Sequence, residues 1–322
     1  MYKKFFGLTR NPFEISPDPY FLFATPRHKE ALASIIHGVF RHKGFIVVTG
    51  EVGTGKTLLV RCLLEILRQQ QIASANVFNP CLSSLEFLRY IACDLGLKAG
   101  SQDKGTLLLE LNNYLIARYR KNMTTVLIVD EAQHLESELL EEIRLLTNLE
   151  TSQQKLLQIV LVGQPELDQK MDSPQLRQLK QRIALRCQLE PLQESETRGY
   201  ILRRLQRAGA NSHGETIFPD DVIGSVYRYS RGIPRLINTL CENALIATYA
   251  EKGKMVSSEI VDEVARDLRL NVLTRPPSPP PTAIDGQRVI AKSLLELVES
   301  LERVVRGTEV RETPSDPGVK IV

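Results

Sequence analysis

Between residues 45 and 189, short apolar runs alternate with segments of helical periodicity. Among these runs are five strand candidates, some of them almost wholly apolar like strands that are buried on both faces of a sheet. They cover residues 45–48, 74–79, 124–129, 156–163 and 185–189. The segments between them carry apolar residues three and four positions apart, as helices do, and cover residues 58–67, 85–95, 107–120 and 139–149. Strands that alternate with helices predict an α/β fold in which a parallel five-stranded sheet is covered on both sides.

From residue 194 onwards the periodicity is helical. Apolar residues recur at i, i+3 and i+4 over residues 194–208, 219–230, 234–251 and 257–270. Pro219 followed by two aspartates, and Ser257 followed by a serine and a glutamate, are favourable helix starts. We therefore predict an all-helical domain over residues 193–272, behind an α/β domain over 44–192 and an N-terminal segment with a first helix over 1–43.

Proline marks a break after the helical domain. Residues 273–284 predict an extended, semi-stiff linker. Residues 285–306 then carry one apolar stripe with alternating spacings of four and three, which consists of Ile290, Leu294, Leu297, Leu301 and Val304. A helix of this length is marginal alone, so we expect this amphipathic helix to contact a partner, with packing on its own core as the alternative. The tail over residues 307–322 is expected to be disordered.

The composition is that of an ordinary soluble globular protein. Of 322 residues, 43% are hydrophobic and 25% are charged, and the net charge of +3 permits contact with nucleic acid or anionic lipid without arguing for either. The five cysteines lack C-x-x-C spacing, so we expect neither a disulfide framework nor a zinc site. Neither a secretory signal nor a membrane-spanning segment is expected, because no apolar stretch has the required length.

The strongest chemical signal follows the first apolar run. Residues 50–57 match the phosphate-loop pattern G-x-x-x-x-G-K-[ST] at every fixed position. The glycines allow backbone amides to approach a phosphate closely, Lys56 would reach the outer phosphates, and the hydroxyl of Thr57 would ligate Mg²⁺. A nucleoside triphosphate is therefore expected to bind at Gly50, Glu51, Val52, Gly53, Thr54, Gly55, Lys56, Thr57 and Leu58.

Two acids end the third apolar run. Asp130 and Glu131 follow residues 124–129, and the carboxyl ends of strands are where open parallel sheets bind their ligands. Asp130 is expected to hold Mg²⁺, and Glu131 to act as general base for the attacking water, with a helix N-cap as the alternative role for Glu131. Gln164 ends the fourth run, where it either positions the water or forms the turn before Pro165.

Phosphoryl transfer also needs cations near the transferred group, and the arginine fork suits this role. Arg182 and Arg186 lie around the start of the fifth run, and Arg235 opens a helix after a Gly-Ile-Pro turn. Taken alone, each is more simply read as an ordinary surface arginine, because most arginines are exposed.

These motifs stand in the order found in AAA+ ATPases, which the chain resembles. Residues 232–235 are similar to the sensor-2 element of that superfamily, and Arg182 matches the position of its arginine finger, with Arg186 as runner-up. The resemblance implies a P-loop NTPase fold with a helical lid, and ATP and Mg²⁺ at the site. It also implies that Arg235 moves toward the γ-phosphate as the lid closes, and that Arg182 reaches into a neighbouring subunit of a homo-oligomer.

The N-terminus narrows the resemblance. Residues 5–8, 11–13, 17–23 and 28–32, together with the Asp-Glu-Ala-Gln box at 130–133, look like the ExeA/general secretion pathway protein A group. The resemblance covers approximately residues 1–270, and TniB- and MuB-like transposition ATPases share much of its core. In the family this opening stretch runs near the adenine. His28 would then contact the base or, as we favour, be a solvated residue at a helix start.

The resemblance implies an ATPase that couples turnover to assembly or remodelling of a membrane secretion or export system. A secretion or membrane-assembly protein would then bind through the C-terminal helix. Family members often carry a transmembrane helix and a periplasmic peptidoglycan-binding domain, and neither is visible in this sequence, so we expect a cytoplasmic protein or one peripheral at the inner membrane. Two alternatives are a nucleotide-gated switch and a DNA-binding ATPase that targets or loads a partner, with basic residues at 177–182 and 203–207.

Overall fold

A parallel sheet of five strands forms the centre of the part of the chain that the structure describes, as the apolar runs predicted. The computed structural model describes residues 2–270 apart from residues 79, 99, 101–102, 153 and 211–213. The strands are β1 (Phe45–Gly50), β2 (Ala73–Val77), β3 (Thr125–Val129), β4 (Leu157–Gly163) and β5 (Leu185–Leu189). They lie in the order β2-β3-β4-β1-β5, and every neighbouring pair is parallel. The carboxyl ends of β3, β4 and β1 are therefore adjacent, which brings the candidate site residues to one edge.

Helices cover both faces of this sheet. Apart from α1 (Tyr2–Phe5), which packs with helices from later in the chain, they are in chain order α2 (Pro26–Phe40), α3 (Lys56–Gln69), α4 (Ser84–Asp94), α5 (Lys104–Tyr119), α6 (Ser137–Leu146), α7 (Pro165–Met171) and α8 (Arg177–Lys180). Ile46 and Val48 of β1 pack with α2 and α3 on one face. Phe45 and Val47 pack with α4 to α8 on the other. Burial on both faces explains why β1 reads as an unbroken apolar run.

Beyond β5 the described chain is entirely helical. The helices are α9 (Glu194–Leu205), α10 (Gly214–Ile217), α11 (Asp220–Ser230), α12 (Pro234–Ala250) and α13 (Ser258–Asp267). The first of them ends earlier than predicted, because the chain enters a π-helical turn in which Gly209 has a φ of 103°. Within the described residues no helix is both long and apolar enough to cross a membrane. The predicted linker, amphipathic helix and tail, residues 273–322, lie outside the described residues.

The N-terminal segment packs onto the helical part rather than onto the sheet. It shares one apolar core with α9, α11, α12 and α13 through Tyr2, Phe6, Leu8, Phe13 and Phe21. The Tyr2 hydroxyl also donates to the carboxylate of Glu242 in α12 at 2.7 Å. Residues 22–25 then lead to α2, which packs against β5. The segment therefore bridges the two parts of the molecule beside the phosphate loop.

Candidate functional site

The predicted phosphate loop connects β1 to α3 at the carboxyl edge of the sheet. Gly50 ends β1, and α3 begins at Lys56 with Gly55 as its N-cap at a φ of 103°. Gly53 has a φ of 83°. A Cβ on Gly50 would lie 2.7 Å from the carbonyl oxygen of Leu189, so that position requires glycine. The loop and the N-terminus of a 14-residue helix together form an arrangement that favours a phosphate.

The Lys56 ammonium is folded back onto its own loop. Its Nζ donates to the carbonyl oxygens of Gly50 at 2.8 Å and Glu51 at 3.0 Å, and the residue is buried. Burial lowers the pKa of Lys56, while the carboxylates of Glu131 and Asp130 act in the opposite direction. The ammonium thus stands near two acids but is bonded to neutral carbonyls, and a phosphate can replace these bonds with stronger charge-assisted ones.

Asp130 and Thr57 form a pair of oxygen ligands suited to Mg²⁺. Asp130 is buried directly after β3, and the hydroxyl of Thr57 hydrogen-bonds to its carboxylate. The backbone N–H of Glu131 donates to Asp130 Oδ1 at 2.9 Å. Burial raises the pKa of Asp130, and these hydrogen bonds oppose the rise. One hydroxyl and one carboxylate fit Mg²⁺, which takes few protein ligands and completes its octahedral shell with phosphates and water.

Two glutamine amides hold the carboxylate of Glu131. Gln133 Nε2 donates to Glu131 Oε2 at 2.6 Å, and Gln164 Nε2 donates to the same oxygen at 3.4 Å. The backbone N–H of Gln164 donates in turn to Gln133 Oε1 at 3.0 Å. Burial raises the pKa of Glu131, but the two amides and the charge of Lys56 outweigh it, so the pKa lies below its usual value. Glu131 is therefore ionised at neutral pH, as a general base must be.

Neither Glu131 nor Gln164 uses its side chain as a helix cap. Glu131 has a left-handed φ of 52° ahead of the short 3-10 helix Ala132–His134, and it makes no capping hydrogen bond. Gln164 precedes α7 and also makes none. Gln133 is a site residue that the sequence did not single out. The available signal was its place at the end of the Asp-Glu-Ala-Gln box, next to the two acids.

Arg235 begins the first turn of α12 directly against the phosphate loop. Its N–H donates to the carbonyl oxygen of Gly53 at 3.2 Å, and a Cβ on Gly53 would lie 2.7 Å from Arg235 Cβ. The preceding turn depends on Gly232, at a φ of 74°, where a Cβ would lie 1.8 Å from the carbonyl oxygen of Leu192. The side chain of Arg235 is exposed. Burial of Lys56 is the main cause of its lowered pKa, and the positive charge of Arg235 lowers that pKa further. The helical part thus contacts the loop through Arg235.

Arg182 and Arg186 lie on the surface with other partners. Arg182 Nη2 donates to Asn148 Oδ1 at 3.0 Å. Arg186 Nη1 pairs with Asp168 Oδ1 at 2.6 Å. Both residues are exposed. In the part of the chain that the structure describes, neither arginine forms a hydrogen bond with residues 50–58. They remain alternatives for a finger that would act on a neighbouring subunit.

An apolar cavity lies beside the phosphate loop, between the sheet and the helical part. Its walls include Pro19, Leu22, Phe23, Leu58, Leu192 and Pro234. His28 also lines the cavity, so our expectation of a solvated histidine was wrong. Its Nε2 is 3.2 Å from the carbonyl oxygen of Thr54, and its Nδ1 is 2.7 Å from the hydroxyl of Thr25. Burial lowers the pKa of His28, which keeps the imidazole neutral at neutral pH. An apolar cavity next to a phosphate loop suits a flat base.

Known proteins are similar to this chain in sequence. The AAA domain family matches residues 38–171. General secretion pathway protein A of Aeromonas hydrophila is 45% identical over 263 residues, which are 81% of this chain and 47% of that protein. The Mu-like prophage FluMu DNA transposition protein B of Haemophilus influenzae is 31% identical over 47% of this chain and 50% of its own length. The chain thus spans about half the length of these curated relatives. The resemblance drawn from the motifs is confirmed.

Solved structures share the fold at low sequence identity. The structure of Drosophila ORC bound to DNA aligns with a TM-score of 0.61 and 16% identity, over 96% of this chain and 80% of that chain. Cdc6p from Pyrobaculum aerophilum aligns with a TM-score of 0.57 and 16% identity, over 77% of this chain and 70% of that chain. At this identity the likeness concerns the fold alone, and it confirms the predicted architecture.

Proposed function

We propose that the chain is a AAA+ P-loop ATPase, which binds ATP with Mg²⁺ and hydrolyses it at the phosphate loop. One observation carries this proposal. An ionised Glu131 and a buried Asp130, both at the end of β3, converge with the buried Lys56 at the phosphate loop, on which Arg235 also rests. Hydrolysis of a phosphoric anhydride needs this combination of a base, a metal-binding acid and cations.

ATP binding would begin with an exchange of partners at Lys56. Its ammonium leaves the carbonyl oxygens of Gly50 and Glu51 for the oxygens of the outer phosphates. Backbone amides of residues 50–58 bind the remaining phosphate oxygens, and the adenine enters the cavity beside Leu58. Thr57 and Asp130 would hold Mg²⁺, which when bound neutralises charge on the β- and γ-phosphates.

Glu131 would accept the proton of the attacking water. Its Oε2 exchanges an amide hydrogen bond for one from the water, and Gln164, whose amide is already 3.4 Å from that oxygen, orients the water. The water oxygen bonds to the γ-phosphorus, the bond from that phosphorus to the β–γ bridging oxygen breaks, and ADP and phosphate leave. Arg235 from the lid, and Arg182 or Arg186 from a neighbouring subunit, stabilise the charge of the transferred group.

The output would be assembly or remodelling of a membrane secretion or export system. Support comes from the 45% identity to general secretion pathway protein A. The helical lid of residues 193–272 would move against the nucleotide-binding domain of residues 44–192 as Arg235 engages the nucleotide. The partners would be other copies of the chain and a secretion or membrane-assembly protein that binds residues 285–306. The protein would act in the cytoplasm or at the inner-membrane surface.

A DNA-binding ATPase that targets or loads another protein is the second candidate. The relatives include the ATP-dependent target DNA activator B of Escherichia phage Mu, 35% identical over 31% of this chain and 30% of its own length. The two basic clusters, residues 177–182 and 203–207, each contain a residue that is engaged within the fold. Lys180 pairs with Asp172, and Arg204 is buried. We therefore favour the secretion role.

One experiment separates these candidates. ATP turnover by the purified protein is measured across a series of protein concentrations, alone and with double-stranded DNA. A specific activity that rises with protein concentration and is unchanged by DNA supports an arginine finger in trans and the secretion role. Stimulation by DNA that weakens steeply with added salt would favour the second candidate, because counterion release makes DNA affinity salt-dependent.

A further inference from the structure

A buried arginine ties the N-terminal segment to the helical lid. Arg204, on α9, is 5% exposed. Its Nε donates to the carbonyl oxygen of Pro12 at 2.5 Å, and its Nη2 to that of Glu14 at 3.4 Å. Its guanidinium carbon lies 4.8 Å from the ring centre of Phe21. Burying a charge is costly unless its hydrogen bonds are satisfied, so the surrounding groups must be arranged to satisfy this one.

The same guanidinium reaches the wall of the cavity beside the phosphate loop. Arg204 Nη1 donates to the hydroxyl of Tyr200 at 2.8 Å, and that hydroxyl donates to Asn238 Oδ1 at 2.9 Å. Tyr200 lines the cavity, where its ring stands edge-to-face against Phe23 with the ring centres 5.9 Å apart. Burial raises the pKa of Tyr200, so its hydroxyl stays protonated and serves both hydrogen bonds.

Asn238 connects this network to the end of α12 that touches the phosphate loop. It is buried one helical turn after Arg235, whose backbone N–H donates to Gly53. Asn238 Nδ2 donates to the carbonyl oxygen of Glu14 at 3.4 Å, which closes the network onto the N-terminal segment. One hydrogen-bond network, largely buried, therefore joins the segment, the cavity wall and the helix that carries Arg235.

We propose that Arg204 is a positioning residue for ATP binding. Through Tyr200 and Asn238 it fixes the cavity wall that contacts the base together with the helix that presents Arg235. The inference rests on the proposed function, because it requires the base to occupy this cavity. Lysine cannot replace Arg204, since one ammonium cannot bond along the same directions to two carbonyl oxygens of the N-terminal segment and to the hydroxyl of Tyr200.

Two probes separate the contribution of the base from that of the phosphates: ATP, and inorganic triphosphate. Both are titrated with Mg²⁺ present. The unaltered protein should bind ATP more tightly than triphosphate. Arg204→Met keeps the length of the side chain but loses its hydrogen bonds, and should weaken ATP binding about tenfold. Triphosphate affinity should stay unchanged, because the phosphate loop is intact. Arg204→Lys should behave as Arg204→Met does.

A matched control and a milder variant complete the test. Arg203→Met alters the neighbouring arginine, whose described hydrogen bond goes to Gln206, and should leave both affinities unchanged. Tyr200→Phe keeps the ring in the cavity wall and removes only the shared hydroxyl. It should weaken the binding of ATP but not that of triphosphate. If a thermal melt shows that Arg204→Met is not folded, Tyr200→Phe alone tests the proposal.

The possible failures are distinguishable. If Tyr200→Phe, and Arg204→Met where it folds, bind both ATP and triphosphate as tightly as the unaltered protein does, the positioning role is wrong and the proposed function stands. If the variants bind ATP and triphosphate more weakly by the same factor, Arg204 stabilises the fold and does not position the base. If the unaltered protein itself binds triphosphate as tightly as ATP, the cavity does not take the base, and that part of the proposed function falls with the inference.

Discussion

Gln133 Nε2 donates to Glu131 Oε2 at 2.6 Å, so the amide that closes the Asp-Glu-Ala-Gln box holds the acid in the middle of it. The carbonyl oxygen of the same amide accepts the backbone N–H of Gln164 from the neighbouring strand end. Lys170 Nζ fixes the segment further by donating to the backbone carbonyl oxygen of Gln133 at 2.9 Å. The proposed base therefore has a defined orientation, and its ionised form is favoured.

Gln133→Leu should shift the pH dependence of hydrolysis. The hydrogen bond from Gln133 stabilises the ionised form of Glu131, so removing that bond raises the pKa of the Glu131 carboxyl. Less base is then ionised at acidic pH, and the acid limb of the kcat/KM profile moves to higher pH. Gln181→Leu, at an exposed position after α8, serves as control and should leave the limb in place. An unmoved limb in Gln133→Leu would show that this amide does not tune the base.

Lys56→Ala should weaken ATP binding by roughly tenfold to a hundredfold, the range expected for losing a hydrogen bond to a charged group. Its ammonium is the buried cation of the loop. Titration calorimetry measures the change. Arg68→Ala removes an exposed cation from the same helix and should bind ATP normally. Equal affinity in the two variants would rule out Lys56 as the phosphate cation.

Arg182→Ala should lose ATP turnover, yet regain part of it when mixed with Glu131→Gln subunits. A mixed interface is then complete where the intact base of an Arg182→Ala subunit meets the intact finger of a Glu131→Gln subunit. The measurement is turnover as a function of the mixing ratio, with Arg186→Ala in parallel to decide between the two arginines. If neither arginine variant is rescued, the site is not shared between subunits.

Gly232→Ala should destabilise the lid and detach Arg235 from the loop. The new Cβ would overlap the carbonyl oxygen of Leu192, and the residue has a φ of 74°. We expect the free energy of unfolding to fall by about 1–3 kcal/mol. Gly224→Ala is the matched control, because it lies in α11 with open space around it and should gain about 0.5–1 kcal/mol. Chemical denaturation of both variants tests this, and equal stabilities would contradict the role given to Gly232.

Much of the fold could be read from the sequence because its physical causes are local. Burial on both faces makes β1 an unbroken apolar run, and the phosphate loop that follows it carries its glycines, Lys56 and Thr57 at fixed spacings. The positions of Asp130 and Gln164 followed from parallel pairing, which places strand ends side by side. These features depend on neighbours in the sequence or on one general rule of sheets.

The remaining features depend on contacts between distant residues. Gln133 and Gln164 are 31 positions apart, and Arg204 lies 192 positions from Pro12. Nothing in the string Arg-Arg-Leu-Gln-Arg distinguishes the buried Arg204 from the half-buried Arg203 and Arg207, because the carbonyl groups that Arg204 contacts lie on the N-terminal segment. The partial burial of His28 escaped prediction for the same reason, since the cavity it lines forms only when the lid and the N-terminal segment meet.

The central claim is that Glu131 is the base of an ATP-hydrolysing site, and Glu131→Gln tests it most directly. The variant keeps the size of the side chain and leaves Lys56, Thr57 and Asp130 intact. ATP binding and ATP turnover are measured on the same preparation. We predict an ATP affinity within about threefold of the unaltered protein, and turnover reduced by at least about a hundredfold. Near-normal turnover would contradict the account and place the base elsewhere.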